Sequence, residues 1–222
     1  YEEKTRRVTA LAQTIAEKLG PAVCDTAIVF QSARLAKADL VTGLVGEFPE
    51  LQGIVGGLLL RAEGAPAGVA DAVAEHYKPA GADDSIPSTG VGGVVAIADR
   101  LDTMAGLIGA GETPTGSRDP FGLRRAAGGV FRILAERAWP VTITDLVRWA
   151  GQDERIRAFL NDRLNNWLVD RGFAGNEIAG RQPHAIVAHR AGVEVRVERH
   201  LIEVGSKAFL CRHRAEPGRT AE

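Results

Sequence analysis

A strongly apolar segment of this 222-residue chain reads Gly93-Val-Val-Ala-Ile-Ala-Asp-Arg-Leu-Asp-Thr-Met-Ala-Gly-Leu-Ile108. Apolar residues recur in it every three or four positions, a period that is typical of an α-helix with one buried face. That face consists of Val94, Ala98, Leu101, Ala105 and Ile108. The spacing therefore predicts a strongly apolar helix, and the segments on both sides of it carry further helical patterns.

Helical spacing extends along most of the chain, and it predicts an all-α fold. The predicted helices cover residues 3–19, 22–46, 54–61, 67–77 and 93–108, then about 120–138, and two more within 142–171. Pro120 is expected to open its helix, because proline is tolerated in the first turn. Thr142 or Thr144 is expected to cap the helix that follows.

The pattern changes after about residue 176. Val193-Glu-Val-Arg-Val-Glu198 alternates with period two, which favours a strand, and residues 215–222 are expected to be disordered. We expect three regions: an HD-like helical bundle at 1–138, the start of a following helical domain at 139–175, and a diverged or disordered tail at 176–222.

Composition excludes several classes of protein. No run of about 18 apolar residues is present, so we expect no membrane span. The N-terminus does not have the pattern of a signal peptide, so we expect a cytoplasmic protein. It also has no initiator Met, so we expect the chain to be a piece of a longer protein. Cys24 and Cys211 have no metal-binding spacing and are expected to be reduced thiols. The net charge of -1 gives no general attraction to nucleic acid, so such a role requires a local patch.

Such a patch is visible in the charge distribution. Residues 39–84 contain eight acidic side chains and two basic ones, whereas residues 113–137 contain five arginines and two acidic side chains. Within the basic region, Thr115, Gly116 and Ser117 form a loop that leads into a predicted helix N-terminus, where unpaired N–H groups can bind phosphate. The candidate phosphate-binding arginines are Arg118, Arg124, Arg125 and Arg132. The alternative is that Asp119 or Ser117 caps the helix and the arginines pair with the acids of residues 39–84.

Asp39, His76 and Asp99 lie on separate predicted helices, a distribution found in metal-dependent HD-type phosphohydrolases. Those enzymes need a histidine directly before the aspartate, and this chain has Ala38 there. Residues 1–22 also contain no histidine. We therefore expect no metal at these degenerate positions. Asp39, Asp99 and Asp102 are instead expected to be caps, ion-pair partners or solvated side chains. The loop serines have no G-x-S-x-G context, so we expect no catalytic residue in this chain.

Four ordered motifs resemble the β subunit of bacterial glycyl-tRNA synthetase over roughly residues 1–175. They are Leu35-Ala-Lys-Ala-Asp-Leu-Val-Thr-Gly-Leu-Val-Gly-Glu-Phe-Pro-Glu-Leu-Gln-Gly53, Glu75-His-Tyr-Lys-Pro79, Ala98-Asp-Arg-Leu-Asp-Thr103 and Pro114-Thr-Gly-Ser-Arg-Asp-Pro-Phe-Gly-Leu-Arg-Arg-Ala-Ala127. The resemblance implies the degenerate HD-like domain of that subunit and the beginning of its next helical region.

Further expectations follow from the resemblance alone. The family works as an α/β hetero-oligomer in which the α subunit binds ATP, Mg²⁺ and glycine at a class II catalytic core. The β subunit grips tRNA(Gly). This chain would then be a non-catalytic part of glycine–tRNA ligase without a cofactor of its own, and its partners would be tRNA, the α subunit and other β-subunit domains.

Three functions stay open at this point. The first is tRNA binding and positioning by the arginines, the second is an active metal-dependent phosphohydrolase, and the third is a structural scaffold between domains. Exposure of Arg118, Arg124, Arg125 and Arg132 would favour the first function, whereas burial against acids would favour the third.

Overall fold

The computed structural model describes residues 1–81, 83–115 and 118–172, together with the backbone of three strands further along the chain. The helices are α1 (Glu2–Leu19), α2 (Thr26–Leu35), α3 (Gly43–Glu47), α4 (Ile54–Ala62), α5 (Ala67–Glu75), α6 (Gly90–Gly109), α7 (Leu123–Arg137), α8 (Ile143–Trp149) and α9 (Glu154–Asp170). Short 3-10 helices at Ala38–Val41 and Pro49–Leu51 precede and follow α3.

Helix α6 lies at the centre of the bundle and confirms the helix predicted at 93–108. It contacts α1, α2, α5, α7 and α9. Most of its side chains are buried, including Val95 and Ile97, which lie outside the predicted face. A helix that is apolar on several sides must be covered on several sides, which is why this one organises the others around it.

Helices α7, α8 and α9 complete the bundle on one side of α6. Phe131 of α7 meets Trp167 of α9 edge to face, with 6.3 Å between the ring centroids. Thr142 caps α8 through a capping box with Asp145, and this confirms the first of the two caps that the sequence suggested.

The single helix predicted over 22–46 is wrong. The chain forms α2, a 3-10 turn and α3 instead, and both Lys37 and Asp39 are buried. Residues two apart point to different sides of an α-helix, and the two side chains here meet different neighbours, Lys37 contacting Asp99 and Asp39 contacting Gly53. The 3-10 turn places both of them inside.

The predicted helix start at Pro120 is also wrong, because α7 begins at Leu123. Gly122 adopts a left-handed conformation with φ of 66°, and its N–H donates to the Asp119 carbonyl at 3.1 Å. Asp119-Pro-Phe-Gly122 is therefore a turn that leads into the helix, and the helix starts only after the glycine.

The all-α prediction is confirmed for residues 1–172 in the part of the chain that the structure describes. Beyond them, β1 (Ile186–Arg190), β2 (Val193–Glu198) and β3 (Leu201–Gly205) form an antiparallel sheet in the order β1-β2-β3. The strand predicted at 193–198 is thus confirmed, whereas residues 215–222 lie outside the described residues. The division at 138 and 175 stays a prediction. Within the described part of the chain, none of the helices combines the length and the hydrophobicity of a membrane span.

Candidate functional site

A buried ammonium group lies at the position where the sequence suggested a degenerate metal site. Lys37 Nζ lies 3.0 Å from His76 Nε2 and donates to Asp99 Oδ2 at 2.8 Å. The same ammonium lies 3.9 Å from the centroid of the Tyr77 ring. One cation of the chain therefore contacts an imidazole, a carboxylate and an aromatic face, three groups that attract positive charge.

The hydrogen bonds of His76 assign its tautomer. Its Nδ1 lies 2.7 Å from the Val73 carbonyl, so Nδ1 carries the proton and Nε2 offers its lone pair to Lys37. Complete burial, followed by the charge of Lys37, lowers the pKa of His76 to about 3. His76 is thus a neutral acceptor at physiological pH.

Helix α1 supplies further cations to Asp99 and to its neighbour on α6, Asp102. Lys4 Nζ lies 3.1 Å from Asp99 Oδ1 and 3.0 Å from Asp102 Oδ2, and Arg7 Nε donates to Asp102 Oδ1 at 2.6 Å. Burial opposes ionisation of Asp99, but the ammonium groups of Lys37 and Lys4 outweigh it and lower the pKa to about 2. Asp99 and Asp102 are therefore ion-pair partners that join α1 to α6.

Asp39 has a separate task as a helix cap. Its Oδ2 accepts from the N–H of Gly53, the N-cap of α4, at 2.6 Å and from the N–H of Gly56 in the first turn of α4 at 3.2 Å. A Cβ on Gly56 would lie 2.9 Å from Val73 Cγ1 and 3.3 Å from Asp39 Oδ2. Glycine at this position allows the carboxylate to approach the helix end, where its charge also complements the helix dipole.

Arg100 fixes the segment that carries His76. Its guanidinium donates to the carbonyls of His76 at 3.1 Å, Tyr77 at 2.7 Å and Pro79 at 3.1 Å, and to Ala96 within its own helix at 3.0 Å. Burial lowers its pKa to about 10, so it remains charged. The motifs at 75–79 and 98–103 are thus parts of one network.

These residues do not fit a metal ion. Lys37 brings its own positive charge to within hydrogen-bonding distance of His76 and Asp99, and a divalent cation would be repelled from the same place. Asp39 directs Oδ2 at backbone amides. The sequence placed the missing ligand at Ala38, but Ala38 is exposed, and its buried neighbour Lys37 takes the central position.

We therefore expect Mn²⁺ to leave the melting temperature of the chain unchanged. If the chain bound Mn²⁺, a free concentration of 100 times the Kd would stabilise the fold by about 2.7 kcal/mol. A thermal scan detects such a change readily. A saturable rise in melting temperature that disappears in His76→Gln would contradict this expectation.

The predicted phosphate loop leads into a helix end that a side chain already caps. Asp119 accepts from the N–H of Leu123 at 2.8 Å through Oδ1 and from the N–H of Arg124 at 2.9 Å through Oδ2. Thr115 and Arg118 form an isolated antiparallel bridge, while Gly116 and Ser117 lie outside the described residues. The anion at the start of α7 is thus supplied by the protein itself.

The four candidate arginines differ in exposure. Arg118 and Arg125 are exposed, whereas Arg124 and Arg132 are partly buried, and Arg132 Nε donates to Glu136 Oε1 at 2.5 Å. The structure does not bring them together as one stripe, because Arg124 and Arg125 line different pockets.

Both pockets contain arginines of α9 or its C-cap that sequence reasoning missed. A pocket of about 240 Å³ is lined by Pro79, Gly81, Arg125, Gly128, Gly129, Arg132, Trp167 and Arg171. Another of about 400 Å³ is lined by Thr113, Pro114, Arg124, Arg155, Ala158, Phe159, Asp162 and Arg163. We call the surface formed by these two pockets the α7–α9 face. Only the packing of α7 on α9 brings these arginines together, although the number of arginines in 155–171 was a signal.

Comparison with known proteins gives a consistent result. The family described as "Glycyl-tRNA synthetase beta subunit" matches residues 1–180. A glycine–tRNA ligase beta subunit of Janthinobacterium sp. (strain Marseille) is 47% identical over 185 residues, which cover 79% of this chain and 26% of that protein. The beta subunits of Ralstonia nicotianae (42% over 199 residues, 85% and 27%) and Acidithiobacillus ferrooxidans (40% over 208 residues, 86% and 30%) are also similar. The chain thus spans about a quarter of the length of these relatives.

Proposed function

Because the chain belongs to the glycyl-tRNA synthetase β-subunit family, we propose that it is a non-catalytic tRNA-binding region of a glycine–tRNA ligase. In this proposal its helical bundle positions tRNA(Gly) for aminoacylation. The reaction itself takes place on an α subunit that binds ATP and Mg²⁺, and other β-subunit domains complete the assembly.

The observation that carries the proposal is the α7–α9 face. Arginines from two packed helices line both pockets there, and guanidinium groups suit the bidentate geometry of phosphate. Several of these arginines also pair with acids on their own helix, such as Arg163 with Asp162. The Asp162 carboxylate is exposed, and an ion pair that water can reach contributes little, so a phosphate can replace the carboxylate at little cost.

We expect the double variant Arg124→Ala/Arg125→Ala to bind tRNA(Gly) more weakly than the parent chain. Each phosphate contact that is lost should reduce the slope of log K against log salt by about 1, so the slope should fall by about 2. Filter binding or fluorescence anisotropy across a salt series measures both quantities.

The matched control is Arg6→Ala/Arg34→Ala. These two arginines line a different pocket, between α1 and α2, and their removal changes the net charge by the same amount. If the control weakens tRNA binding as much as the α7 variant, attraction is general and the α7–α9 face has no special role. If the folded α7 variant binds like the parent, the proposed contact is excluded.

A structural role is the second candidate, and the environment of α7 favours it. Asp119 caps the helix, Arg132 pairs with Glu136, and Gly129 packs so closely that a Cβ would lie 2.9 Å from Arg100 Nε. On this alternative, Arg124→Ala/Arg125→Ala lowers the melting temperature and leaves tRNA affinity unchanged. The binding and thermal measurements on one variant therefore separate the two functions.

An active phosphohydrolase is the least supported candidate. It requires a divalent metal on Asp39, His76 and Asp99, and two of these residues already hold the ammonium of Lys37. Saturable turnover of nucleotide phosphates that depends on Mn²⁺ and on His76 would restore this possibility.

A further inference from the structure

The smaller of the two pockets has the features of a specific anion site. It lies between α7, the Pro79–Gly81 segment and the C-terminal end of α9. We propose that Arg125, Arg132 and Arg171 bind a single phosphodiester group of RNA in this pocket, with Trp167 as the support for Arg171. The proposal rests on the proposed function and deepens it, because it assigns one phosphate contact to a defined set of side chains.

The shape of the pocket follows from glycines in α7. Arg125 and Arg132 are separated by two helical turns and so point to the same side of the helix. Between them, a Cβ on Gly128 would meet nothing within 4 Å, and Gly129 leaves room for Arg100. The resulting volume of about 240 Å³ is below the range of about 300–1,000 Å³ for drug-sized ligands, which favours a small group such as phosphate.

Arg171 is held in place before any ligand arrives. Its guanidinium lies 3.7 Å from the centroid of the Trp167 ring, and Trp167 is itself buried against Phe131. Stacking on a fixed aromatic ring limits the movement of the long side chain, so less conformational entropy is lost when it binds an anion.

Electrostatics favour an anion between these side chains. Burial lowers the pKa of Arg171, and the neighbouring charge of Arg132 lowers it further. The carboxylates that act on Arg171 are Glu136 and Asp170, and Glu136 is already paired with Arg132. A phosphate between Arg132 and Arg171 would relieve the repulsion between their guanidinium groups.

The position of Arg171 has a second explanation that the test must separate. Arg171 follows the last turn of α9, where a cation offsets the negative end of the helix dipole. A purely capping role predicts that its removal lowers stability and leaves anion binding unchanged. It gives no reason for Arg125 and Arg132 to line the same pocket.

The experiment uses the whole chain, with inorganic phosphate and tRNA(Gly) as probes. Phosphate is titrated at constant ionic strength against chloride, and the indole N–H signal of Trp167, assigned with Trp167→Phe, is followed by NMR. We expect a saturable shift in the parent chain and none in Arg171→Gln. We also expect Arg171→Gln to bind tRNA about tenfold more weakly, with a salt slope smaller by about 1.

The matched control is Arg157→Gln, which removes the same charge from α9. Arg157 pairs with Glu154 and lines neither pocket of the α7–α9 face. It should retain both the phosphate shift and the parent affinity. If tRNA binds and Arg171→Gln behaves like Arg157→Gln, the subsite is excluded while the proposed function stands. If the parent chain does not bind tRNA at all, the proposed function fails instead.

Discussion

Lys37→Met should lower the free energy of unfolding by about 3 kcal/mol. This is the lower end of the range of about 3–5 kcal/mol expected when one partner of a buried ion pair is removed. Methionine fills most of the volume of the lysine stem, so the loss comes mainly from charge. Among the described residues, Asp99 would keep only Lys4 as an ion-pair partner, and His76 Nε2 would lose the donor that lies 3.0 Å away. Urea denaturation followed by circular dichroism measures the change.

Lys18→Met provides the comparison for this variant. Lys18 lies 3.8 Å from Asp145 and is 44% exposed, so its pair is weak and its loss should cost less than about 1 kcal/mol. In addition, Lys37→Met/Asp99→Asn should lose less than the sum of the two single changes, because the second change removes the unpaired buried charge. Equal losses for Lys37→Met and Lys18→Met would show that the buried pair is not important for stability.

Acid should destabilise the fold in a pH range that His76 sets. The pKa of His76 is about 3 in the folded chain and about 6.5 when the chain is unfolded, so the unfolded state binds the proton first. The stability that the neutral, buried His76 contributes is complete above pH 6.5 and is lost as the pH falls toward 3. The expected slope is about 1.4 kcal/mol per pH unit, with a total of up to about 5 kcal/mol.

Asp99 adds to the loss at still lower pH. Its folded pKa of about 2 is below the ordinary value of 3.8, so its contribution is present above pH 3.8 and is lost as the pH falls toward 2. Urea titrations at successive pH values should therefore show falling stability from pH 6.5 downward. The chain has four other histidines, and none has a described side chain, so a variant is needed to assign the slope.

His76→Gln is that variant. Glutamine can still offer an acceptor to Lys37 but does not titrate in this range. We expect it to be less stable than the parent at pH 7 and to show a much flatter dependence between pH 6.5 and 4. A slope that persists in His76→Gln would assign the acid sensitivity to other groups.

Much of the fold was accessible from local pattern. The helices at 3–19, 54–61, 67–77 and 93–108 were predicted because an amphipathic or apolar helix repeats its burial every three to four residues. The strand at 193–198 was predicted for the same reason with period two. The family was also accessible, because its four motifs are contiguous strings that remain readable without a structure.

What the sequence alone did not provide is the set of contacts between distant residues. Lys37 interrupts the apolar helical pattern of residues 22–46, and nothing next to it in the sequence indicates which groups it contacts. Its partners His76 and Asp99 lie 39 and 62 positions away along the chain, so only the packing of helices reveals that its ammonium lies between them.

For the arginines too, the sequence showed one part and the tertiary structure another. Their number along 118–137 was evident from the sequence, and so was the basic character of that region. The separation of Arg124 from Arg125, and the joining of Arg125 to Arg171, depend on how α7 packs against α9. Most of the helices and the family were therefore predictable from the sequence, whereas the division of residues 22–46 and the start of α7 were not. Tertiary structure alone decided which charges meet, because electrostatic interactions depend on distance in space and not on separation along the chain.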